Sequence, residues 1–201
     1  DLDHVGGAAG LIEALPVGRI VGPGLLRGTA PMEAVVGAAE REGVPWSVVR
    51  PGDRWSVHGT DFTVVHAGGD DPAPNEHSVV LHLGFGEFDV LLTGDVSSPV
   101  EDRLPARLPP GTSIEVLKLA HHGSRTSTSA DLLDALMPRA AVVSVGRRNR
   151  FGHPDPTVVR RLVEREIPLW RTDRLGSLRV TGHRDGSYRI EGEFGSGGVA
   201  H

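Results

Sequence analysis

A chain of 201 residues with 38% hydrophobic content is long enough to bury a core of ordinary domain size and too apolar to be disordered. Its formal charge of −5 excludes a generally basic nucleic-acid coat, and the absence of cysteine excludes disulfides and thiolate metal sites. Any transition metal must therefore be held by His and carboxylate, and no apolar run approaches the roughly 20 residues that span a bilayer.

In chain order, residues 8–15 carry a helical pattern that stops at Pro16, and 19–21 read as a short buried strand. Thr29 is positioned to N-cap a helix over 31–42, with Pro31 in its first turn and Gly43 at its end. Short strands follow at 46–49, 54–57 and 62–66, separated by Pro51-Gly52-Asp53 and Gly59-Thr60-Asp61. Residues 67–75, rich in Gly, Asp and Pro, read as a loop. Strands at 78–83 and 88–93 around a turn at 84–86 then form a hairpin that ends in Gly94-Asp95. Beyond it the pattern predicts a helix near 99–108, an apolar strand at 114–119, a helix near 130–137, a second apolar strand at 140–145 and a helix at 156–165. Strands at 169–171, 177–181 and 188–191 close the series. With no internal repeat and no linker, the alternation predicts one α/β layered domain over 1–193, followed by a flexible Gly-rich tail at 194–201.

Five clusters of potential ligands fall just after these strands or in the loops that follow them, where α/β folds place their sites. They are Asp1-Leu2-Asp3-His4, Asn75-Glu76-His77-Ser78, Thr93-Gly94-Asp95, His121-His122-Gly123-Ser124 and Asn149-Arg150-Phe151-Gly152-His153-Pro154. Taken singly, most have an ordinary structural explanation: Asp3 and His4 as an N-cap and its neighbour, Gly94-Asp95 as a turn, His153 as a residue before a turn proline. The His121-His122 pair is harder to assign to packing, because an apolar residue would serve better at the end of an apolar strand. His58, His66, His77, His82 and His183 have no supporting cluster and are expected to be surface or core histidines.

Two divalent ions about 3.5–4 Å apart need a bridging group, and a short carboxylate such as Asp95 meets that need better than imidazole. Such ions lower the pKa of a shared water and neutralise charge growing on a phosphoryl oxygen. Lys118, the only lysine, and Arg125, Arg147, Arg148 and Arg150 lie beside the motifs and could form a cationic strip for phosphate oxygens. For Arg125 a solvated surface position is an equal alternative. Phe151 and Trp170 are the only aromatic residues near these motifs, so no ladder for stacking bases is expected and sequence-specific recognition is not predicted.

The motifs Asp-x-Asp-His-x-Gly-Gly from Asp1, Thr-Gly-Asp from Thr93, Leu-Lys-x-x-His-His-Gly-Ser from Leu117 and Ser-Val-Gly-x-x-Asn-x-x-Gly-His-Pro from Ser144 occur in that order. Together they resemble the metallo-β-lactamase domain of the ComEC/Rec2 family of DNA-uptake proteins. The likeness runs from Asp1 to about Val180 and includes Trp170-Arg171-Thr172-Asp173. It implies an αββα sandwich of two mixed sheets, N-terminally truncated, with the first strands and the first His of the opening motif lying before Asp1.

The resemblance further implies a dinuclear metal-dependent hydrolase with Asp1, Asp3, His4, Asp95 and His121 as metal ligands and Asp95 as the bridge. Asp3, Asp95 and His153 become the catalytic set. His122, Ser124, Asn75, Lys118, Asn149, Arg147, Arg148 and Arg150 surround it or meet substrate. Asn75 stands near the place where many superfamily members carry another metal-binding His. Two divalent ions, Zn or Mn, are expected, and Asp1 in place of a His shifts the preference towards Mn. The implied activity is sequence-nonspecific DNA phosphodiester cleavage, with DNA met through its phosphate backbone. The parent would be a cell-membrane protein whose channel portion adjoins this extracytoplasmic domain. Two alternatives stay open: a free-standing hydrolase of small phosphodiesters or esters, and a non-catalytic binding module whose first metal site has decayed.

Overall fold

The computed structural model describes residues 2–23, 28–68 and 74–200, with residue 74 and residues 196–200 described by backbone alone. The chain divides into two compact units, residues 1–50 and 51–201.

In the first unit, α1 (Leu2–Val5) and α2 (Ala8–Ala14) precede β1 (Ile20–Gly22), α3 (Ala30–Glu42) and β2 (Trp46–Val48). Helix α3 begins after Thr29 with proline in its first turn and ends on Gly43 at φ 66°, a left-handed stop that glycine adopts without Cβ strain. Ile12, Val35 and Ala38 form its buried centre, with Val5, Ala8, Ala9 and Met32 packed around them. β1 and β2 pair in parallel with Ile20 opposite Trp46.

The second unit is built on a seven-stranded sheet. Its strands are β3 (Arg54–Val57), β4 (Thr60–Ala67), β5 (Val79–Phe85), β6 (Phe88–Leu92), β7 (Val116–Lys118), β8 (Ala140–Val143) and β9 (Leu169–Arg171), adjacent in that order. Strands β3 to β6 run antiparallel, with tight turns joining β3 to β4 and β5 to β6, whereas β6 to β9 run parallel and need crossovers. Those crossovers carry α4 (Ser98–Glu101), α5 (Ala130–Leu136) and α6 (Pro156–Val163). Alternation places Leu91, Leu117, Ala141 and Val143 in a core shared with Leu104, Leu132, Leu133, Val158 and Leu162. On the other face, Phe88, Val116 and Ala140 pack with Tyr188 and Ile190. Both faces of β7 and β8 are thus covered, which is why these strands read as unbroken apolar runs.

After β9 comes a single turn, α7 (Thr172–Leu175), and then an antiparallel sheet of β10 (Leu178–Gly182), β11 (Tyr188–Gly192) and β12 (Gly195–Ala200). Of the sheets described, the seven-stranded one is mixed, the two-stranded one parallel and the three-stranded one antiparallel. The expected loose tail is instead strand β12 paired with β11, because a backbone ladder needs no side chains. The predicted helix near 99–108 is broken into α4 and a 3-10 turn at Pro105–Arg107, since Pro105 has no N–H to continue it.

The register aligns Leu92, Lys118, Val142 and Trp170 across the parallel strands. The residues that follow these ends, from Thr93, Leu119, Ser144 and Thr172 onward, therefore emerge along one edge of the sheet.

Candidate metal centre

Asp95 is held by the turn that follows β6. Thr93 is fully buried and donates its hydroxyl to the Lys118 carbonyl at 2.5 Å, tying the ends of β6 and β7 together. Gly94 turns at φ 57°, and a Cβ there would lie 2.8 Å from Ser78 Cβ, so the close approach of the two loops requires glycine. Ser78 Oγ accepts the Asp95 N–H at 3.0 Å, which leaves the Asp95 carboxylate directed by a fixed backbone. Ser78 belongs to one of the clusters singled out in the sequence, but its role as acceptor for the Asp95 N–H is set by the fold.

The histidine pair lies in a 3-10 turn at Ala120–Gly123, in which both residues occupy the left-handed region: His121 at φ 46°, ψ 46° and His122 at φ 55°, ψ 23°. Two successive non-glycine residues there cost about 1–2 kcal/mol each, and such strain is concentrated at functional sites. Three bonds hold it. The His121 N–H donates to the Gly94 carbonyl at 3.0 Å, the Ser124 N–H donates to the His121 carbonyl at 2.9 Å, and His122 Nδ1 lies 2.8 Å from the Ser144 carbonyl. A carbonyl can only accept, so His122 Nδ1 carries the proton and the neutral ring keeps its lone pair on Nε2. That Nε2 lies 3.8 Å from Asp95 Oδ2. His121 faces elsewhere: its Nδ1 is 3.4 Å from Asn75 Nδ2, and its ring meets His153 edge-on at 6.0 Å between centroids.

The loop behind the pair is pinned from two helices. Glu101 of α4 is fully buried, and its carboxylate accepts the Thr128 N–H at 2.6 Å and the Ser129 N–H at 3.0 Å. Arg161 of α6 donates to the carbonyls of Ser127 and Thr128 at 3.2 and 3.0 Å. Burial raises the Glu101 carboxyl above its usual range, while these backbone donors oppose the rise. Neither residue was legible as part of a site, because a charged residue in a helix ordinarily reads as solvated.

His153 arrives on the loop after β8. Asn149 Oδ1 accepts the His153 N–H at 2.9 Å, and Asn149 Nδ2 donates to the carbonyls of His153 and Gly146 at 3.0 and 3.2 Å. Asn149, expected near substrate, therefore acts as the clasp of its own loop. Burial, and then the neighbouring His121 and His122, push the His153 imidazole below its ordinary value of 6.5. With the folded value below the unfolded one, the unfolded chain binds protons more readily as pH falls through about 6.5, and stability falls with it. We expect metal-free His153→Gln to lose less stability than the wild type in urea titrations below that pH; parallel curves would remove His153 from the acid response.

The other expected site residues separate by environment. Ser124 is buried and bonds locally to Thr126 Oγ1 at 3.1 Å. Lys118 donates Nζ to the Leu119 carbonyl at 2.8 Å, and burial lowers its pKa against the opposing charge of Asp95, so it is not an open member of a cationic strip. Arg147 lies over the Phe194 ring at 5.1 Å, while Arg125, Arg148 and Arg150 are exposed. In the first unit, Asp3 Oδ2 and His4 Nε2 lie 3.9 Å apart on α1, and Asp1 lies outside the described residues. The histidines expected to be structural include His66, buried with Nε2 2.8 Å from the Glu76 carbonyl, and His82, buried and 2.8 Å from Asp89.

Asp95 and His122 have the chemistry of a metal pair. Bonds of about 2.0–2.2 Å to one ion span a donor separation of up to about 4.4 Å, which includes the observed 3.8 Å. The Nδ1–H to carbonyl contact is also the arrangement by which proteins orient a metal-binding imidazole. With an α/β sheet carrying carboxylate and imidazole along the edge where its parallel strands end, the fold and site define a metallohydrolase-type architecture.

Residues 1–147 match the model of the metallo-β-lactamase superfamily, and the chain belongs to that superfamily, whose members are generally metal-dependent hydrolases. It is 34% identical over 180 residues to ComE operon protein 3 of Bacillus subtilis (strain 168), covering 89% of this chain and 23% of that protein. It is 33% identical over 184 residues to Competence protein ComA of Neisseria gonorrhoeae, covering 89% of this chain and 24% of that one. The chain thus spans about a quarter of the length of these relatives, which bear out the resemblance to the ComEC family. Among solved structures, CmlA, a diiron β-hydroxylase from Streptomyces venezuelae, is similar with a TM-score of 0.52 over 80% of this chain and 39% of that chain. At 14% identity this likeness is one of fold.

Proposed function

We propose that the chain is a metal-dependent phosphodiesterase that cleaves DNA without sequence preference, as one domain of a competence-type DNA-uptake protein. The observation that carries this reading is the Asp95–His122 pair, with the imidazole oriented by the Ser144 carbonyl so that Nε2 faces the carboxylate.

The roles follow from proton positions. Asp95 and His122 serve as ligands, which exchanges the parts that the sequence expectation gave to His121 and His122. Asn75 Nδ2 donates to His121 Nδ1, so the neutral His121 ring carries its proton on Nε2 and can offer it to a phosphoryl oxygen. Burial and the neighbouring His121 and His122 favour the neutral form of His153, whose free ring nitrogen can accept a proton. Asp1, Asp3 and His4 remain in the proposed ligand set on the resemblance of their motif alone. When bound, two divalent ions, Zn or Mn, would lower the pKa of water and neutralise charge developing on the phosphoryl group.

The likeness to competence proteins and the exposed Arg148 and Arg150 favour DNA as substrate. In the parent protein the domain would lie outside the cytoplasm beside a membrane channel. Among the described residues no helix is long and apolar enough to cross a membrane, so any spanning helices of that parent belong to other residues.

As a domain within its parent protein, the chain supplied with Mn²⁺ or Zn²⁺ is expected to cleave DNA strands of unrelated sequence, and a chelator should stop it. Hydrolysis of a small phosphodiester with DNA left intact would transfer the chain to the small-ester alternative. DNA binding without hydrolysis of either substrate would make it a binding module.

A further inference from the structure

Phe151 has the most exposed ring among the described large apolar side chains, at 82%. A single exposed apolar residue is common and assigns nothing by itself. The surroundings of this one are specific. Its ring stacks on His153 with centroids 5.9 Å apart and planes 21° from parallel. Gly152 between them adopts φ 71°, a left-handed turn that brings the side chains two residues apart onto the same side. The loop is fixed by the Asn149 clasp, whose hydrogen bonds reach Gly146 on one side of Phe151 and His153 on the other. The ring is thus presented by an ordered loop, with one face against the site histidine and its remaining surface open. Arg148 and Arg150, both exposed, precede it in the same loop and supply cationic groups that a backbone phosphate could meet.

A planar apolar surface beside cationic side chains and next to a phosphodiester-cleaving site matches a nucleotide whose base is free to stack. A base inside a duplex is already paired and sandwiched by its neighbours, so its face is not available; an unpaired base offers that face at no unstacking cost. Stacking of this kind accepts every base, because each has a π face, and so agrees with cleavage that ignores sequence.

We infer that Phe151 is the stacking platform for an unpaired nucleobase and that it makes the site prefer single-stranded DNA to duplex. This rests on the phosphodiesterase reading above.

Fluorescence anisotropy with labelled oligodeoxythymidylate, an abasic strand of equal length and a blunt duplex tests it, using the full chain as wild type, Phe151→Ala and Phe151→Trp. The wild type is expected to bind the thymidylate strand more tightly than the other two. Phe151→Ala should weaken thymidylate binding roughly 5- to 100-fold, leave abasic-strand binding unchanged and thereby remove the preference, whereas Phe151→Trp should keep it. An equal loss on both single strands, or no loss on either, overturns the inference. DNA cleavage by the wild type together with unchanged strand preference in Phe151→Ala would sink the stacking role alone. Failure of the wild type to bind or cleave any strand would remove the phosphodiesterase reading and the stacking role together.

Discussion

Asp95→Asn is expected to lower metal-dependent hydrolysis by about 10³-fold or more while the fold persists. The stabilisation of transition-state charge by bound metal is worth several kcal/mol, and each 1.36 kcal/mol is about tenfold in rate. Asparagine keeps the shape of the side chain, and the Asp95 N–H bond to Ser78 Oγ belongs to the backbone, so the turn after β6 is preserved. What is lost is the negative charge that faces His122 Nε2 at 3.8 Å, and with it the preference for holding a cation there. Metal content per chain should fall alongside kcat, and the far-ultraviolet spectrum should not change. A variant that retains both its metal and its rate would show that Asp95 is not a ligand.

Gly123→Ala should cost about 2–5 kcal/mol of stability. Two effects combine. Gly123 sits at φ 75°, where an added Cβ costs about 1–2 kcal/mol. The new methyl would also lie 2.7 Å from Pro154 Cβ and 3.2 Å from its Cα, an overpacking worth about 1–3 kcal/mol. The Pro154 loop cannot retreat freely, because the Asp155 N–H donates to the Gly123 carbonyl at 2.8 Å. Gly43→Ala provides the comparison: it has φ 66° but nothing within 4 Å of the added Cβ, so it carries the backbone strain alone. Urea unfolding should therefore show a clearly larger loss for Gly123→Ala. Equal losses would mean that the two loops are not held together by this contact. Because Pro154 follows His153, the same substitution should also move His153 away from His121, reducing hydrolysis beyond the effect on stability.

Most of the second unit was legible from the chain. Strands β4 to β9 lie where alternation and apolar runs predicted them, and α5 and α6 where the helical period did, because these signals report local burial. The order of the motifs was equally visible, and the parallel register explains why those of the second unit, after Leu92, Lys118 and Val143, emerge on one edge. The division at residue 50 was not visible, since no composition change or linker marks it. The one-turn helix α1 was missed as well: its sequence runs into Gly6-Gly7, and it persists only to the Gly6 N–H bond with the Leu2 carbonyl at 2.9 Å.

By itself, the sequence determined the fold class, the family and the residue types available to hold cations, because composition, periodicity and motif order are properties of the chain read locally. Only the tertiary structure decided which neighbour of the histidine pair faces the carboxylate. That choice depends on a left-handed backbone and on the Ser144 carbonyl, 22 positions away, which accepts the hydrogen bond of His122 Nδ1–H and so aims Nε2 at Asp95. A carbonyl oxygen has no residue type to betray it, so the direction of a ring nitrogen is set by packing that a linear pattern does not encode.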